Sequence, residues 1–217
     1  MLSVELGVWS PKKIQFVGNV MIDTTVRSLE RTNSHRNLWN LGLTGVVESP
    51  GAIQSYAAAT LHRPTNVHDP DVLKGLVNGL GEAGRRLPII FPVHPRTQKL
   101  LKQHPIDLDP DIRVIEPQGY LAFLSLMRHA ALVVADSGGV QEETTYLGVP
   151  CLTVRPNTER PVTIESGTNR LIDAAPQTVV DEIEAALDRI PLPARRPPEL
   201  WDGHAGERIA AVMRSVG

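Results

Sequence analysis

Hydrophobic and polar positions follow two alternating patterns along this chain. Short runs, rich in β-branched residues and apolar at successive positions, predict strands that are buried on both faces, as in a parallel sheet covered by helices. Longer amphipathic stretches lie between these runs and predict helices. The predicted strands cover residues 13–18, 56–61, 88–93, 113–117, 131–136 and 151–154. The predicted helices cover residues 19–33, 70–86, 95–103, 119–129, 139–147, 176–189 and 204–215.

The alternation of strands and helices predicts an α/β fold with a single Rossmann-like, doubly wound parallel sheet. Two stretches interrupt the pattern. Residues 36–55 have poor periodicity and predict a loop with a short helix, whereas residues 191–200 are rich in proline and predict a semi-rigid spacer. We therefore divide the chain into a connecting strand and helix over 1–35, a Rossmann-like domain over 36–190, and the spacer with a terminal helix over 191–217.

Composition and charge exclude several classes of function. The 217 residues include 22 basic and 24 acidic side chains, and the net charge of −2 gives no bias toward nucleic acid or an anionic membrane. No apolar run approaches the roughly 18 residues of a membrane span, and the amino terminus lacks the features of a signal peptide. Cys151 is the only cysteine, which excludes an internal disulfide and predicts a reducing, cytoplasmic setting. No metal-ligand spacing or cofactor motif occurs, so we expect neither a metal nor a cofactor.

The stretch VVADSGGVQEETTYLGVP carries the strongest candidate site. Its apolar run leads to the carboxyl edge of the sheet, where open α/β folds bind ligands, and Ser137, Gly138 and Gly139 follow at a helix start. Glycines destabilise a helix but let a ligand approach the backbone amides, and free amides with the helix dipole attract phosphate. Glu143 lies one turn beyond Gly139, where a carboxylate could accept hydrogen bonds from sugar hydroxyls. This pattern favours a nucleotide, and the alternative is a tight turn before an exposed acidic helix.

Basic residues follow other predicted strands. In ATLHRPTNV, His62 and Arg63 end a strand, and both can donate hydrogen bonds to a phosphate. In FPVHPRT, His94 lies between two prolines, and in NTERP, Arg160 could pair with a phosphate or with Glu142. The structural alternatives are a surface pair that closes a strand, a helix start at the second proline, and a salt bridge within a loop. In EPQGYLAFLSLM, the aromatic spacing favours core packing over base stacking.

Together these stretches resemble the non-hydrolysing UDP-N-acetylglucosamine 2-epimerases of bacteria and archaea. The matching segments, which keep their order, are FVGNVMID, TLHRPTNV, PVHPRT, DSGGVQEETTYLGVPCLTVRPNTERPVTIESGTNRL and WDGHAGERIA. The resemblance covers nearly the whole chain and is weakest over residues 1–10 and 36–55. It implies two Rossmann-like domains that face each other across a cleft, similar to the glycosyltransferase-B architecture. This chain would correspond to the carboxyl-terminal, UDP-binding domain.

The resemblance also implies which residues bind the nucleotide. The serine and the two glycines of the helix start would hold the diphosphate, and Glu143 would hold the ribose hydroxyls. Uracil would contact Gln118 and Phe123, which replaces core packing as the expected role of that phenylalanine. Arg160 would lie in the cleft. The full set of implied UDP-binding residues is Gln118, Phe123, Ser137, Gly138, Gly139, Glu143 and Arg160.

The family reaction, as the resemblance implies it, eliminates UDP to give 2-acetamidoglucal and then re-adds it with C2 inverted. His62 would be the catalytic residue of this chain, because it would stabilise UDP as it leaves. Arg63 and His94 would be regulatory or secondary residues, and Arg63 neighbours a region where some members bind an activating UDP-sugar. The carboxylates that move the C2 proton belong to amino-terminal motifs resembling GTRPE, HGDT and HVEAGLR, and none of these occurs in this sequence.

The resulting hypothesis is a UDP-N-acetylglucosamine 2-epimerase, an isomerase of polysaccharide biosynthesis, of which this chain supplies the nucleotide-binding half. Its expected partners are a UDP-sugar and either further copies of the chain or a partner domain that carries the missing half. The alternatives are a truncated, non-catalytic UDP-binding module and one subunit that needs a partner domain. A UDP-sugar glycosyltransferase half shares the fold but is disfavoured by the run EETTYLGVPCLTVRPNTERP.

Overall fold

The structure is a computed structural model that describes residues 14–32, 36, 38, 41, 43, 56–104, 106–190 and 196–216. These residues contain a six-stranded parallel sheet. Its strands are β1 (Ala57–Thr60), β2 (Ile89–Pro92), β3 (Ile112–Ile115), β4 (Leu132–Ala135), β5 (Cys151–Val154) and β6 (Asn169–Ile172). Their order is β3-β2-β1-β4-β5-β6, so the chain builds one half of the sheet outward from β1 and then the other half outward from β4. The predicted doubly wound parallel sheet is confirmed.

Helices connect the strands and cover both faces of the sheet. They are α1 (Val20–Arg31), α2 (Pro64–Val67), α3 (Pro70–Gly84), α4 (Pro95–Gln103), α5 (Tyr120–His129), α6 (Gly138–Leu147), α7 (Val162–Glu165), α8 (Pro176–Leu187) and α9 (Ala205–Val216). Proline opens α2, α3, α4 and α8, because its fixed φ suits a first turn and its missing amide removes no helical hydrogen bond there. All the predicted helices are confirmed, with ends that differ by no more than about two residues.

Two apolar cores lie on opposite faces of the sheet, because successive strand residues point to opposite sides. In β4, Leu132 and Val134 belong to the core that packs against α3 and α8. Val133 and Ala135 belong to the core that packs against α5 and α6. Burial on both faces explains why these strands are apolar at successive positions.

Some elements differ from the sequence predictions. Residues 14–18, predicted as part of a strand, have no regular structure, because Ile14 and Phe16 are exposed and the segment does not pair with the sheet. The sequence does not predict β6, which begins at the polar Asn169 and forms an edge of the sheet. It also misses α2 and α7, each of four residues. Residues 191–195 of the spacer and most of 36–55 lie outside the described residues.

The helix α9 is held in place by a side chain of α1. The Asp23 carboxylate accepts hydrogen bonds from the amides of Ala205, at 3.0 Å, and Gly206, at 2.7 Å. These amides belong to the first turn, where an α-helix provides no acceptor of its own. Asp23 therefore caps α9 from a distant part of the chain.

Candidate functional site

The candidate site lies where the strand order reverses, between the carboxyl ends of β1 and β4. The last residues of the two strands are paired, so His62 and Arg63, which follow β1, lie beside Asp136 and Ser137, which follow β4. The connections that leave these strands pass to opposite faces of the sheet. The crevice between them is the usual position of a ligand in this class of fold.

Asp136 organises this crevice, although it is completely buried. Its Oδ2 accepts hydrogen bonds from the amide of His62, at 2.9 Å, the amide of Arg63, at 2.8 Å, and the side-chain amide of Asn66, at 3.1 Å. Its Oδ1 lies 2.9 Å from Nδ1 of His62. One carboxylate therefore fixes both the backbone after β1 and the ring of His62.

Burial alone would raise the pKa of Asp136, because a low-dielectric surrounding disfavours the charged form. The hydrogen bonds from the His62 side chain and from the Arg63 and His62 amides outweigh this effect and hold the pKa below its ordinary value. The crevice therefore contains a fixed negative charge directly behind a half-buried imidazole.

His94 lies beside His62, with 5.2 Å between the ring centroids. Its Nδ1 accepts a hydrogen bond from the Arg96 amide at 3.2 Å, which caps α4. Burial and the neighbouring charges of His62 and Arg96 lower the pKa of His94. The predicted helix start after His94 is therefore confirmed, and the cap places the imidazole at the edge of the crevice.

The glycine-rich turn after β4 forms the start of α6 without a side-chain cap. Ser137 is the N-cap residue, but its side chain makes no capping hydrogen bond. The amides of the first turn have no intrahelical acceptor, and together with the helix dipole they favour an anion. A Cβ on Gly138 would lie 3.1 Å from the guanidinium carbon of Arg160. A Cβ on Gly139 would meet nothing closer than 3.8 Å, which is ordinary van der Waals contact.

Arg160 is held over the helix start by a buried carboxylate. Its Nε lies 3.1 Å from Oε1 of Glu142, and the side-chain amide of Asn19 donates to the same oxygen at 2.9 Å. Asn19 is also the N-cap of α1, so this contact joins α1 to α6. The pairing of Arg160 with Glu142 places a guanidinium next to the free amides of α6.

Glu159 brings further arginines to the same edge of the sheet. Its carboxylate accepts two hydrogen bonds from the buried Arg155, at 2.9 and 2.7 Å, and lies 4.0 Å from Arg63 and 3.6 Å from Arg160. The hydrogen bond from Arg155 is the main cause that lowers the pKa of Glu159 to about 2. Three guanidinium groups therefore converge on the Glu159 carboxylate beside the crevice.

Glu143 lies one turn along α6 and is buried, with 5% of its surface exposed. Its Oε1 accepts a hydrogen bond from the Tyr120 hydroxyl at 2.8 Å. Burial raises the pKa of Glu143 to about 6; the nearby Glu142 also raises it, and the tyrosine hydrogen bond opposes both. Because both glutamates are buried, an exposed acidic helix, the alternative interpretation of this stretch, is wrong for these residues.

A cleft of about 130 Å³ adjoins the crevice on the side of β2. Phe123 is half-buried: it packs against the core beneath α5 and also faces this cleft. Gln118 lies at its edge, where its side-chain amide donates to the carbonyl of Glu116 at 2.7 Å. The residues that line the cleft are Thr60, Pro92, His94, Pro95, Pro117, Gln118 and Phe123. A flat ring could pack between the phenylalanine and the prolines.

The described part of the chain holds no group of three or more His, Cys, Asp or Glu residues suited to a metal ion. The described helices include none that is long and apolar enough to cross a membrane.

Comparison with known proteins identifies the family. The sequence profile described as UDP-N-acetylglucosamine 2-epimerase matches residues 4–214. The chain belongs to the UDP-N-acetylglucosamine 2-epimerase family. The family member from Methanocaldococcus jannaschii, a UDP-N-acetylglucosamine 2-epimerase, is 36% identical over 207 residues, which are 93% of this chain and 54% of that protein. The UDP-2,3-diacetamido-2,3-dideoxy-D-glucuronate 2-epimerase of Pseudomonas aeruginosa is 34% identical over 206 residues, which are 94% and 53% of the two chains.

A solved epimerase structure is similar over almost the whole chain. The crystal structure of the Methanocaldococcus jannaschii UDP-GlcNAc 2-epimerase in complex with UDP-GlcNAc and UDP has a TM-score of 0.81 at 35% identity. The match covers 98% of this chain and 57% of that one. The chain therefore spans about half the length of the curated epimerases it matches.

The epimerase-family residues predicted from sequence lie around one edge of the sheet. His62, Arg63 and His94 follow β1 and β2, and the Ser137 turn faces them across the crevice. Arg160 packs over Gly138, and Glu143 lies on the next turn of the same helix. Gln118 and Phe123 border the adjoining cleft. Their individual contacts with a nucleotide remain predictions.

Sequence reasoning misses several residues that shape this epimerase-family site. Asp136 ends an apolar strand, which is a signal, but its partners His62 and Asn66 lie about seventy positions earlier in the chain. Tyr120 has no local signal, because its spacing from the other aromatic resembles that of a core position. Glu159 is predicted only as part of a loop, whereas it gathers three arginines.

Proposed function

We propose that this chain binds the UDP part of a UDP-sugar and supplies the nucleotide-binding half of a UDP-N-acetylglucosamine 2-epimerase. The observation that carries the proposal is the uncapped start of α6, with His62 on one side and Arg160 on the other. An anion at this position would receive hydrogen bonds from backbone amides and from two side chains.

The remaining parts of UDP fit the surroundings of this anion position. Glu143 is one helical turn from Gly139, a distance that suits the ribose hydroxyls, and the cleft beside Phe123 suits the uracil ring. The similar epimerase from Methanocaldococcus jannaschii has been solved with UDP-GlcNAc and UDP. We therefore assign the diphosphate to residues 137–139, with His62 stabilising UDP as it leaves and Arg160 beside it.

Epimerisation also requires proton transfer at C2, and this half offers few groups for it. We assign Glu143 to the ribose and His62 to the leaving phosphate, and His94 caps α4. We therefore assign the C2 acid and base to the other half of the enzyme. That half is either a partner domain or part of a further copy of the chain. We place the reaction in the cytoplasm, in keeping with the single, buried Cys151.

Exposed apolar side chains indicate where this partner would pack. Phe16 is 64% exposed in the segment before α1, and Met213 is 69% exposed on α9. Val20, Met21 and Ile209 are also exposed. The segment before α1 and α9 are neighbours, because Arg208 of α9 donates a hydrogen bond to the carbonyl of Val17. Apolar side chains of this size that cluster on a surface mark an interaction site.

UDP binding tests the proposal through Gly139. A Cβ on this glycine makes only ordinary van der Waals contacts within the protein, so Gly139→Ala should fold like the wild type. Gly139→Val extends the same side chain further. Both side chains would occupy the space assigned to the diphosphate. We expect Gly139→Val to weaken UDP binding about tenfold or more, because hydrogen bonds to a charged group contribute about 1.5–3 kcal/mol, and Gly139→Ala to weaken it less.

Isothermal titration calorimetry with UDP measures this series, and circular dichroism confirms that each variant is folded. Unchanged affinity in Gly139→Val would place the nucleotide elsewhere. No binding of UDP by the wild type would reject the proposed function itself.

The chain alone should bind UDP-N-acetylglucosamine without epimerising it. A general acid or base typically contributes about 10²–10⁴-fold to a rate, and we assign none of the described groups to C2. Proton–deuterium exchange at C2 in heavy water, followed by NMR, should be negligible for the chain alone and should appear when an amino-terminal domain of the family is added. Rapid exchange by the chain alone would show that it carries its own base.

A further inference from the structure

The two imidazoles of the crevice use the same ring nitrogen in opposite ways. Their rings lie 5.2 Å apart and are inclined by 34°. Nδ1 of His62 faces a carboxylate oxygen, whereas Nδ1 of His94 faces a backbone amide. A carboxylate accepts a hydrogen bond, whereas a backbone amide donates one. The two contacts therefore require different tautomers of the two rings.

The contact of His62 fixes its proton on Nδ1. Oδ1 of Asp136 is 2.9 Å away, and a lone pair on Nδ1 would face the lone pairs of the carboxylate at that distance. Asp136 cannot turn to relieve such repulsion, because its other oxygen holds the amides of His62 and Arg63 and the side chain of Asn66. Nε2 of the neutral ring therefore carries the lone pair and is free to take up a proton.

The contact of His94 has the reverse effect. Its Nδ1 accepts a hydrogen bond from the Arg96 amide at 3.2 Å, so the proton of the neutral ring lies on Nε2. Protonation of Nδ1 would remove the cap of α4 and would add charge beside His62 and Arg96. His94 can therefore donate from Nε2 but is a poor site for an additional proton.

We propose that Asp136 is a positioning residue that fixes His62 as the Nδ1-protonated tautomer, while His94 remains a neutral Nε2 donor. The inference rests on the proposed function. When the bond between C1 and the phosphate oxygen breaks, its electron pair stays on the β-phosphate. Nε2 of His62, which takes up a proton from water when the diphosphate binds, then donates a hydrogen bond to the added charge, and the Asp136 carboxylate lies behind the ring.

NMR of the full chain with ¹⁵N-labelled histidine tests the assignment directly. Long-range ¹H–¹⁵N spectra at alkaline pH, assigned with His62→Asn and His94→Asn, report which nitrogen of each neutral ring carries the proton. We expect Nδ1–H for His62 and Nε2–H for His94 in the same spectrum. An Nε2–H signal for His62 would overturn the proposal, and this measurement needs no variant of Asp136.

Asp136→Asn tests the link to the nucleotide. The Asn oxygen can still accept the two backbone amides, but its NH₂ group would donate to Nδ1 and switch His62 to the Nε2–H tautomer. The ring then donates from Nε2 without a positive charge, because the Asn NH₂ group disfavours a second proton on Nδ1, so we expect UDP affinity to fall about tenfold. Asn66→Ala is the matched control, because it removes one donor to Asp136 and leaves Oδ1 in place. It should preserve the tautomer.

The outcomes separate this inference from the proposed function. Wild-type UDP affinity in Asp136→Asn would overturn the role of Asp136. A wild-type chain that shows the expected tautomers but binds no UDP would reject the nucleotide site and with it the role of His62 in leaving-group stabilisation. A tautomer switch in Asn66→Ala would show that the ring follows general packing and not Oδ1.

Discussion

Asp136 and Glu143 are two buried carboxylates that flank the start of the same helix, yet their pKa values move in opposite directions. Exposure does not explain the difference, since Asp136 is 0% and Glu143 5% exposed. Oδ2 of Asp136 accepts three hydrogen bonds and Oδ1 lies beside the His62 ring, and its pKa falls. Glu143 has one donor, from Tyr120, and lies near Glu142, and its pKa rises to about 6.

The comparison shows that donors, more than depth, decide whether a buried carboxylate stays ionised. Asp136 accepts three hydrogen bonds on Oδ2 within the protein and acts as a fixed charge of the fold. Glu143 retains acceptor capacity that the protein does not fill. We infer that this unfilled capacity is what suits it to the hydroxyl groups of a ligand.

We expect the largest effect on stability from removing the Asp136 carboxylate, which accepts more hydrogen bonds than the Glu143 carboxylate. Asp136→Ala removes the acceptor of the His62 and Arg63 amides and one of the two acceptors of the buried Asn66 side chain. We expect the free energy of unfolding to fall by roughly 3–5 kcal/mol, measured by urea denaturation at neutral pH. The control, Asn66→Ala, keeps the carboxylate and should cost only about 1–2 kcal/mol. Equal losses in the two variants would contradict the central role of Asp136.

Glu143→Gln should change the free energy of unfolding by a smaller amount than Asp136→Ala and should raise it. The pKa of Glu143 rises from 4.5 to about 6 on folding, so between these values the folded state binds more protons than the unfolded state. Its contribution to stability is therefore largest below pH 4.5 and is lost as pH rises through about 6. Glutamine carries no charge, so the variant should be more stable than the wild type at pH 8 by about 2 kcal/mol.

Paired urea denaturation curves of the wild type and Glu143→Gln from acid to alkaline pH measure this difference. The advantage of the variant should disappear as pH falls below 4.5, because the wild-type carboxyl is then protonated in both states. An advantage that is the same at every pH would assign the effect to packing and not to ionisation.

The smallest effect is expected for Tyr120→Phe, which removes the one donor to Glu143. This hydrogen bond opposes the rise in pKa, so its loss should raise the pKa of Glu143 further. The lost hydrogen bond corresponds to about 1 kcal/mol, so the pKa of Glu143 should rise by somewhat less than about one. NMR titration of the ¹³C-labelled carboxyl carbon measures it. A pKa that stays the same or falls would show that Tyr120 does not support the ionised form.

Much of the fold follows from the sequence because the strands are buried on both faces. The apolar runs of β1, β2, β4 and β5 identify these strands directly. Residues 14–18 show the limit of this reasoning. Ile14 and Phe16 are as apolar as strand residues, but they are exposed and do not join the sheet. The sequence pattern shows which side chains are apolar, but it does not show which residues they pack against.

The site is predictable where its residues are local and not where its contacts are distant. The serine and glycines after β4 predict a helix start from the sequence alone. The connection of Asp136 to His62 spans 74 positions, and no local pattern predicts it. Burial of Glu142 and Glu143 is equally hidden, because charged residues on a helix are mostly exposed. Their burial depends on Asn19 and Tyr120, which come from other helices.

The cap that Asp23 provides for α9 has a consequence for the order of folding. A helix start is usually fixed by a residue beside it, but Asp23 and Ala205 are 182 positions apart. Every strand of the sheet lies between them in sequence. We therefore expect α9 to remain frayed until α1 has settled on the sheet. Protease cleavage within 205–216 would then report, at the opposite end of the chain, whether α1 is in place.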